Sequence, residues 1–215
     1  MQRAGRITRA QERALDELWP RFGVEFSPAP LDLDVVFGRR APRVLEIGIG
    51  DGETLLALAT AHPGTDFLGV EVHRPGIGHC LLGIEAAALT NVRLISHDAV
   101  EVLAQQLPDA SLDEVLLYFP DPWPKKRHHK RRIVQVAFAG LVARKLKPDG
   151  TFRLATDWAP YAGHMLDVLS QSPSFTNASP TGDYVARPAG RPQTKFERRG
   201  ERLGHEVFDL EFRRE

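Results

Sequence analysis

Four carboxylates stand at or near the ends of four apolar, strand-like runs. They are Glu46 in "RVLEIG", Glu71 in "DFLGVEV", Asp98 after "VRLIS" and Asp121 after "DEVLLYF". In an open α/β sheet, ligands bind outside the carboxyl ends of the strands, so acids there can line one site. Glu46 leads into a glycine loop, Gly48-Ile49-Gly50-Asp51-Gly52, of the kind that lets backbone approach a ligand closely. The spacing falls short of a dinucleotide fingerprint, because Glu53 stands where G-x-G-x-x-G needs its last glycine. A carboxylate at that helix start is a poor neighbour for a pyrophosphate, which seeks free N–H groups and the positive end of the helix dipole. Together Glu46 and Glu53 point to a ligand with a cationic part and no phosphate at this place. S-adenosylmethionine, with an ammonium and a sulfonium, has that character; a nicotinamide cofactor does not. The alternative is a tight βα turn that holds no ligand. Glu71, about 20 residues beyond the loop, is placed to accept from a ribose diol. Asp98 is placed for an adenine amino group, or simply caps the helix that follows.

The fourth acid has a different setting. In "YFPDPWPKKRHHKRR", Asp121 and Trp123 are bracketed by prolines, and the next eight residues hold six Lys or Arg and two His. Proline fixes φ and restricts the residue before it, so Asp121 and Trp123 are expected to be extended and stiff. Such a loop could present an acid and an aromatic face to a planar base; otherwise Trp123 packs into the core. The run from Lys125 to Arg132 is either a solvated start to a helix from Arg131 or a polyanion site. Basic residues near a helix N-terminus oppose its dipole, which favours the second reading. Phosphate contacts there would fix orientation and not sequence.

The elements that must position these residues follow from the pattern. Thr8–Trp19 reads as a helix with Ala14, Leu15, Leu18 and Trp19 on one side, stopped by Pro20 and Gly23, and Pro28 and Pro30 mark a linker. The four strands above and "TFRLAT" alternate with helical stretches at 53–61, 77–90, 99–106, 131–146 and 160–171. This alternation implies βαβ units and a mainly parallel sheet. A run rich in Pro, Gly, Ser and Thr follows Pro173, and "GHEVFDLEF" suits a final antiparallel strand. One domain is expected over 1–215: an N-terminal helix and linker over 1–40, then an α/β core over 41–215 with a substrate loop near 180–202.

Composition narrows the function classes. The 215 residues carry 28 basic and 28 acidic side chains, a balance unlike that of a general nucleic-acid coat. Yet residues 187–202 add six more Lys or Arg, Arg191 among them, to those at 125–132, so a positive face is expected. No uncharged apolar run approaches the ~18 residues of a membrane span. The charged N-terminal stretch has no secretory apolar region. Cys80, the only cysteine, rules out an internal disulfide and a thiolate zinc site, fits a reducing cytosol, and is expected to be a packed small side chain. No metal site is expected.

Together "LEIGIGDG", "GVEVHRPGIG", "YFPDPWPKKRHHKRRI", "ATDW" and "GRPQTKFERRG" resemble the bacterial tRNA (guanine-N7-)-methyltransferases, from about Ile7 to Phe208. Ile49 and Asp51 depart from residues frequent in that family. The resemblance implies a class I methyltransferase, Rossmann-like α/β fold: a mainly parallel seven-stranded sheet, an antiparallel last strand and helices on both faces. It implies S-adenosylmethionine as donor, tRNA as partner and guanine 46 of the variable loop as acceptor, in the cytoplasm, by a monomer or a homodimer. Carried over by position, Glu46, Gly48, Glu71, Asp98 and Asp121 would line the cofactor site, with Asp121 catalytic. Lys125, Asp157, Thr194, Lys195, Phe196 and Glu197 would meet the substrate. Arg127, His128, His129, Lys130, Arg131 and Arg132 would touch RNA. Guanine N7 carries no proton, so no base is needed to expose it, and catalysis should rest on orientation and on stabilising the positive charge left on the ring, by Asp121 or Asp157. Trp123 or Phe196 could stack on an extruded base. A catalytically silent RNA-binding module on the same fold is the rival reading.

Overall fold

The computed structural model describes residues 7–194, 197, 198, 200, 204 and 206–215. It divides into two compact units, Met1–Pro108 and Asp109–Glu215.

In the first unit, α1 (Arg9–Glu17) starts on a reciprocal cap. Thr8 Oγ1 accepts from Gln11 N at 3.3 Å, and Gln11 Oε1 accepts from Thr8 N at 2.8 Å. Pro20 does not stop the helical run as expected. It lies in the first turn of a short α2 (Trp19–Phe22), where the N–H it lacks would be unpaired anyway. The expected linker at Pro28 and Pro30 leads at once into α3 (Leu33–Phe37), capped by Asp32 and closed by a left-handed Gly38. β1 (Arg43–Ile47), β2 (Asp66–Val70) and β3 (Val92–Ile95) run parallel with β2 between the others. All five residues of β2 are buried, as a strand covered on both faces requires. α4 (Glu53–Ala61) has the expected bounds, whereas α5 (Arg74–Ala86) begins three residues early because Pro75 sits in its first turn. α1 packs on α5 so closely that a Cβ on Gly78 would lie 2.8 Å from Gln11 O. The helix expected at 99–106 forms in two parts, α6 (Ala99–Glu101) and a π turn over Val102–Gln106.

In the second unit, β4 (Leu112–Tyr118) and β5 (Leu146–Thr156) are parallel. The last strand, β7 (Phe208–Arg214), lies antiparallel to β5 and begins later than the sequence suggested. Arg153 in β5 laces both neighbours, donating to Glu114 Oε1 at 2.5 Å and to Glu211 Oε2 at 2.9 Å. β6 (Phe175–Asn177) pairs with β7 and was not anticipated. It has three residues inside a turn-rich run and is made by pairing and by Phe175 packing on Phe152 and Phe212 (centroids 6.0 and 6.4 Å), not by local propensity. Among the described residues seven strands form a mixed sheet in which β7 runs antiparallel, the class expected. α7 (Val136–Lys145) begins five residues later than expected: Arg131 ends a separate 3₁₀ turn over Lys126–Arg131, and an extended Gln135 divides the two. The basic run therefore does not oppose the dipole of α7, and that argument for a polyanion site falls away. α8 (Ala159–Ser170) completes the unit.

Candidate functional site

The parallel register of β1, β2 and β3 brings the tails of three acid-bearing strands into line, with Ile47 opposite Val70 and Val70 opposite Ile95. Glu46 is nearly sealed, 4% exposed, and its Oε2 has no hydrogen-bond partner among the described residues. Burial raises its carboxyl from 4.5 to about 8, with the negative charge of Glu71 adding to the effect. An unsatisfied buried acid is costly, and a cation brought beside it would restore the ionised form. The donor set thus fits the cationic part of S-adenosylmethionine.

Glu71 does something the sequence did not reveal. Its Oε2 accepts from Gly50 N at 2.9 Å, and its Oε1 accepts from Val72 N at 2.7 Å and His73 N at 2.9 Å. The side chain ties the tail of β2 to the glycine loop, and with about four acceptor positions on a carboxylate it retains room for one ribose hydroxyl. The loop itself needs glycine: Gly48, Gly50 and Gly52 have φ of 74°, 56° and 81°. A Cβ on Gly52 would also lie 2.4 Å from Cys80 Sγ, so Cys80 is the packed small side chain expected. Asp98 is the N-cap of α6, its Oδ1 accepting from Val100 N at 2.8 Å and Glu101 N at 3.3 Å. The capping role is therefore real, and Oδ2 is left for any adenine.

In the second unit, Asp121 and Asp157 follow the carboxyl ends of neighbouring strands, Tyr118 standing opposite Ala155. Asp121 is exposed and accepts no hydrogen bond from the described residues. Its loop is not extended throughout as expected. Phe119 and Trp123 both precede a proline yet have φ of 51° and 44°. Such left-handed positions cost of order 1–3 kcal/mol each and persist only when surroundings hold them. Phe119 N donates to Ala155 O at 2.8 Å. Trp123 is neither core nor an open stacking platform: the Arg131 guanidinium lies 5.0 Å from its ring centre, and His128 meets it edge-on at 5.7 Å.

Of the basic run, Lys125, Lys126, Arg127, Lys130 and Arg131 are exposed, and His128 and His129 are half-buried. Arg132 is different. It is 4% exposed and donates inward to Pro122 O at 2.9 Å, so the RNA contact expected of it does not match its position. The second basic cluster is likewise partly internal. Arg191, 4% exposed, forks onto both Glu197 oxygens at 2.8 and 2.7 Å, donates to Asp209 Oδ2 at 3.0 Å, and lies over the Tyr118 and Phe119 rings. Burial holds the Asp209 carboxyl above its ordinary value although Arg191 pulls it down. Arg191 therefore leaves the positive face, and the Glu197 carboxylate expected on substrate is engaged by Arg191. Thr194, also buried, accepts from Glu197 N at 3.2 Å through its hydroxyl. Lys195 and Phe196 lie outside the described residues.

A family model described as "Putative methyltransferase" matches residues 40–210. A tRNA (guanine-N(7)-)-methyltransferase of Edwardsiella ictaluri is 58% identical over 100% of this chain and 90% of its own. One from Pseudomonas aeruginosa is 59% identical over 99% and 87%. Among solved structures, the 16S rRNA methyltransferase KamB superposes with a TM-score of 0.62 at 16% identity, over 85% of this chain and 92% of its own. A SAM-dependent methyltransferase from Aquifex aeolicus gives 0.55 at 13%, over 94% and 96%. With 58–59% identity to these relatives over nearly its whole length and a family model matching residues 40–210, the chain belongs to the tRNA (guanine-N(7)-)-methyltransferase family.

Proposed function

We propose that the protein transfers a methyl group from S-adenosylmethionine to N7 of a guanine in tRNA, with guanine 46 of the variable loop as its acceptor. The observation that carries this reading beyond the family name is the sealed Glu46 with an unpartnered carboxylate oxygen beside a left-handed glycine loop. RNA binding alone gives no reason to keep such a group, which argues against the silent module. S-adenosylmethionine, when bound, supplies an electrophilic methyl on a sulfonium. Glu46 holds a cationic part of it, Glu71 accepts from its ribose, and Asp98 Oδ2 accepts from its adenine. Asp121, exposed on a constrained loop, stabilises the positive charge that grows on the guanine ring as N7 attacks. Asp157, at the neighbouring strand end, helps to hold that base, with Thr194 in the same role. Lys125, Lys126, Arg127, Lys130 and Arg131 bind phosphates and fix the tRNA.

No helix among the described residues is long and apolar enough to cross a membrane. A tRNA substrate and a buried, unpaired cysteine support a cytoplasmic setting for this reading. Incubation with unmodified tRNA and labelled donor tests the proposal. The label should appear as 7-methylguanosine at the variable-loop position. Label in another nucleoside, or binding of tRNA without transfer, would overturn it.

A further inference from the structure

We infer that Arg132 is a positioning residue: it clamps the loop that carries Asp121 to the start of α8, next to Asp157, and makes no phosphate contact. The inference rests on the transfer chemistry proposed for Asp121. Five of the eight residues from Lys125 to Arg132 have their side chains exposed, as an RNA surface requires. Arg132 turns the other way. Its Nε donates to Pro122 O at 2.9 Å, one peptide from Asp121, and its Nη1 reaches Pro160 O at 3.5 Å. Its guanidinium lies 4.8 Å from the centre of the Tyr161 ring, and Nη2 is 3.2 Å from His129 Nε2.

The surroundings of this clamp are themselves fixed. The Tyr161 hydroxyl accepts from Val134 N at 3.3 Å, and His164 Nε2 is bonded to Val134 O at 2.8 Å. Gln135 Nε2 donates to Arg132 O at 3.2 Å and His129 O at 3.3 Å. Two carbonyls, a ring face and an imidazole surround one planar cation. Arginine meets them through its fork and its stacking face, and lysine, a single point charge, cannot. The arrangement also explains how Trp123 keeps a left-handed φ before a proline: Pro122 is held from behind by Arg132, and Arg131, the preceding residue and the last of the 3₁₀ turn, holds the indole. A displacement of about 1 Å at the reacting group can lower the rate ~100-fold, so a clamp one peptide away from Asp121 should matter for chemistry.

Two substitutions separate a clamp from an RNA contact, because the two roles predict opposite results. Arg132→Lys keeps the charge and loses the fork. A clamp predicts that its single-turnover methylation rate, with tRNA and donor saturating, falls about 10–100-fold while tRNA affinity stays within about twofold of wild type. Arg132→Gln removes the charge, and a clamp predicts an unchanged slope of log K against log salt. Lys130→Gln supplies the reference for removing one phosphate contact, a slope smaller by about 0.7–0.9. Thermal melting monitors folding of each variant. An Arg132→Lys rate equal to wild type, or an Arg132→Gln slope reduced like that of Lys130→Gln, overturns the inference. Wild-type protein that left tRNA unmethylated would refute the functional reading instead, and the salt slopes would still decide whether Arg132 touches RNA.

Discussion

The raised carboxyl of Glu46 makes donor binding depend on pH in a way that one substitution should abolish. In the free protein burial, with help from Glu71, lifts this group from 4.5 to about 8. At about pH 7 roughly ten molecules in eleven then hold it protonated. If a sulfonium or ammonium beside Glu46 returns it to the ordinary carboxylate range, binding releases a proton. Apparent affinity should rise about tenfold per pH unit below 8 and level off above it. The donor's own α-ammonium titrates nearby, at roughly 7.7–8.0, so the informative quantity is the difference between wild type and Glu46→Gln. Calorimetry of S-adenosylmethionine binding at about pH 6, 7 and 8, in buffers of different ionisation enthalpy, reads both slope and proton release. The variant should bind more weakly at high pH and lose most of the slope. Equal slopes and equal proton release in the two proteins would refute the assignment.

The same shift has a consequence for stability. A carboxyl whose folded value is raised gives its full contribution below the unfolded value and loses it as pH rises toward the folded one. The free protein should therefore be penalised increasingly between about pH 4.5 and 8. At about pH 7 the penalty reaches about 3 kcal/mol as an upper figure. Glu46→Gln should stabilise the free protein by up to that amount at neutral pH and by almost nothing near pH 4, measured by urea unfolding.

Neutralising Lys126, Arg127, Lys130 and Arg131 together should weaken tRNA binding and lower the salt slope by up to about 0.9 for each duplex phosphate no longer neutralised, while donor affinity measured by calorimetry survives. Asp121→Asn should lower kcat about 10²–10³-fold with a much smaller rise in KM for tRNA; a single-turnover rate within about threefold of wild type would make Asp121 structural. Arg191→Met should destabilise the protein by about 3–5 kcal/mol in chemical denaturation, because Glu197 and Asp209 stay buried without the guanidinium that joins them; a loss below about 1 kcal/mol would contradict the geometry.

The parts of this molecule that could be read from the sequence are those where a local pattern and the tertiary result agree. Apolar runs of five to seven residues became β1, β2 and β4, and an acid at the tail of each was visible as such because strand ends are marked by the following turn residues. The N-cap role of Asp98 was legible for the same reason: a cap is a contact between residues two and three positions apart. β6 and α3 were invisible, being three and five residues long, too short for periodicity to register.

What could not be read is whether a charged side chain faces water. In "KKRHHKRR" every position has the same chemistry on paper, and Arg131 and Arg132 are neighbours of one type. One stacks on Trp123 from the exposed side; the other enters the protein to meet carbonyls from two segments that are 10 and 28 residues away. "GRPQTKFERRG" hides the same division, with Arg191 sealed against Glu197 and Asp209 while Arg198 is exposed. A count of basic residues therefore overstates the positive face and misses the clamps. The backbone adds a second blind spot. Proline rules predicted an extended Trp123, and by themselves they favour it; the left-handed conformation exists because contacts from Arg131, His128 and Arg132 outweigh a local preference of about 1–3 kcal/mol. Strain of that kind next to an exposed Asp121, which accepts no hydrogen bond from the described residues, is where local and global demands disagree, and such disagreement is expected at a functional site and not in a scaffold.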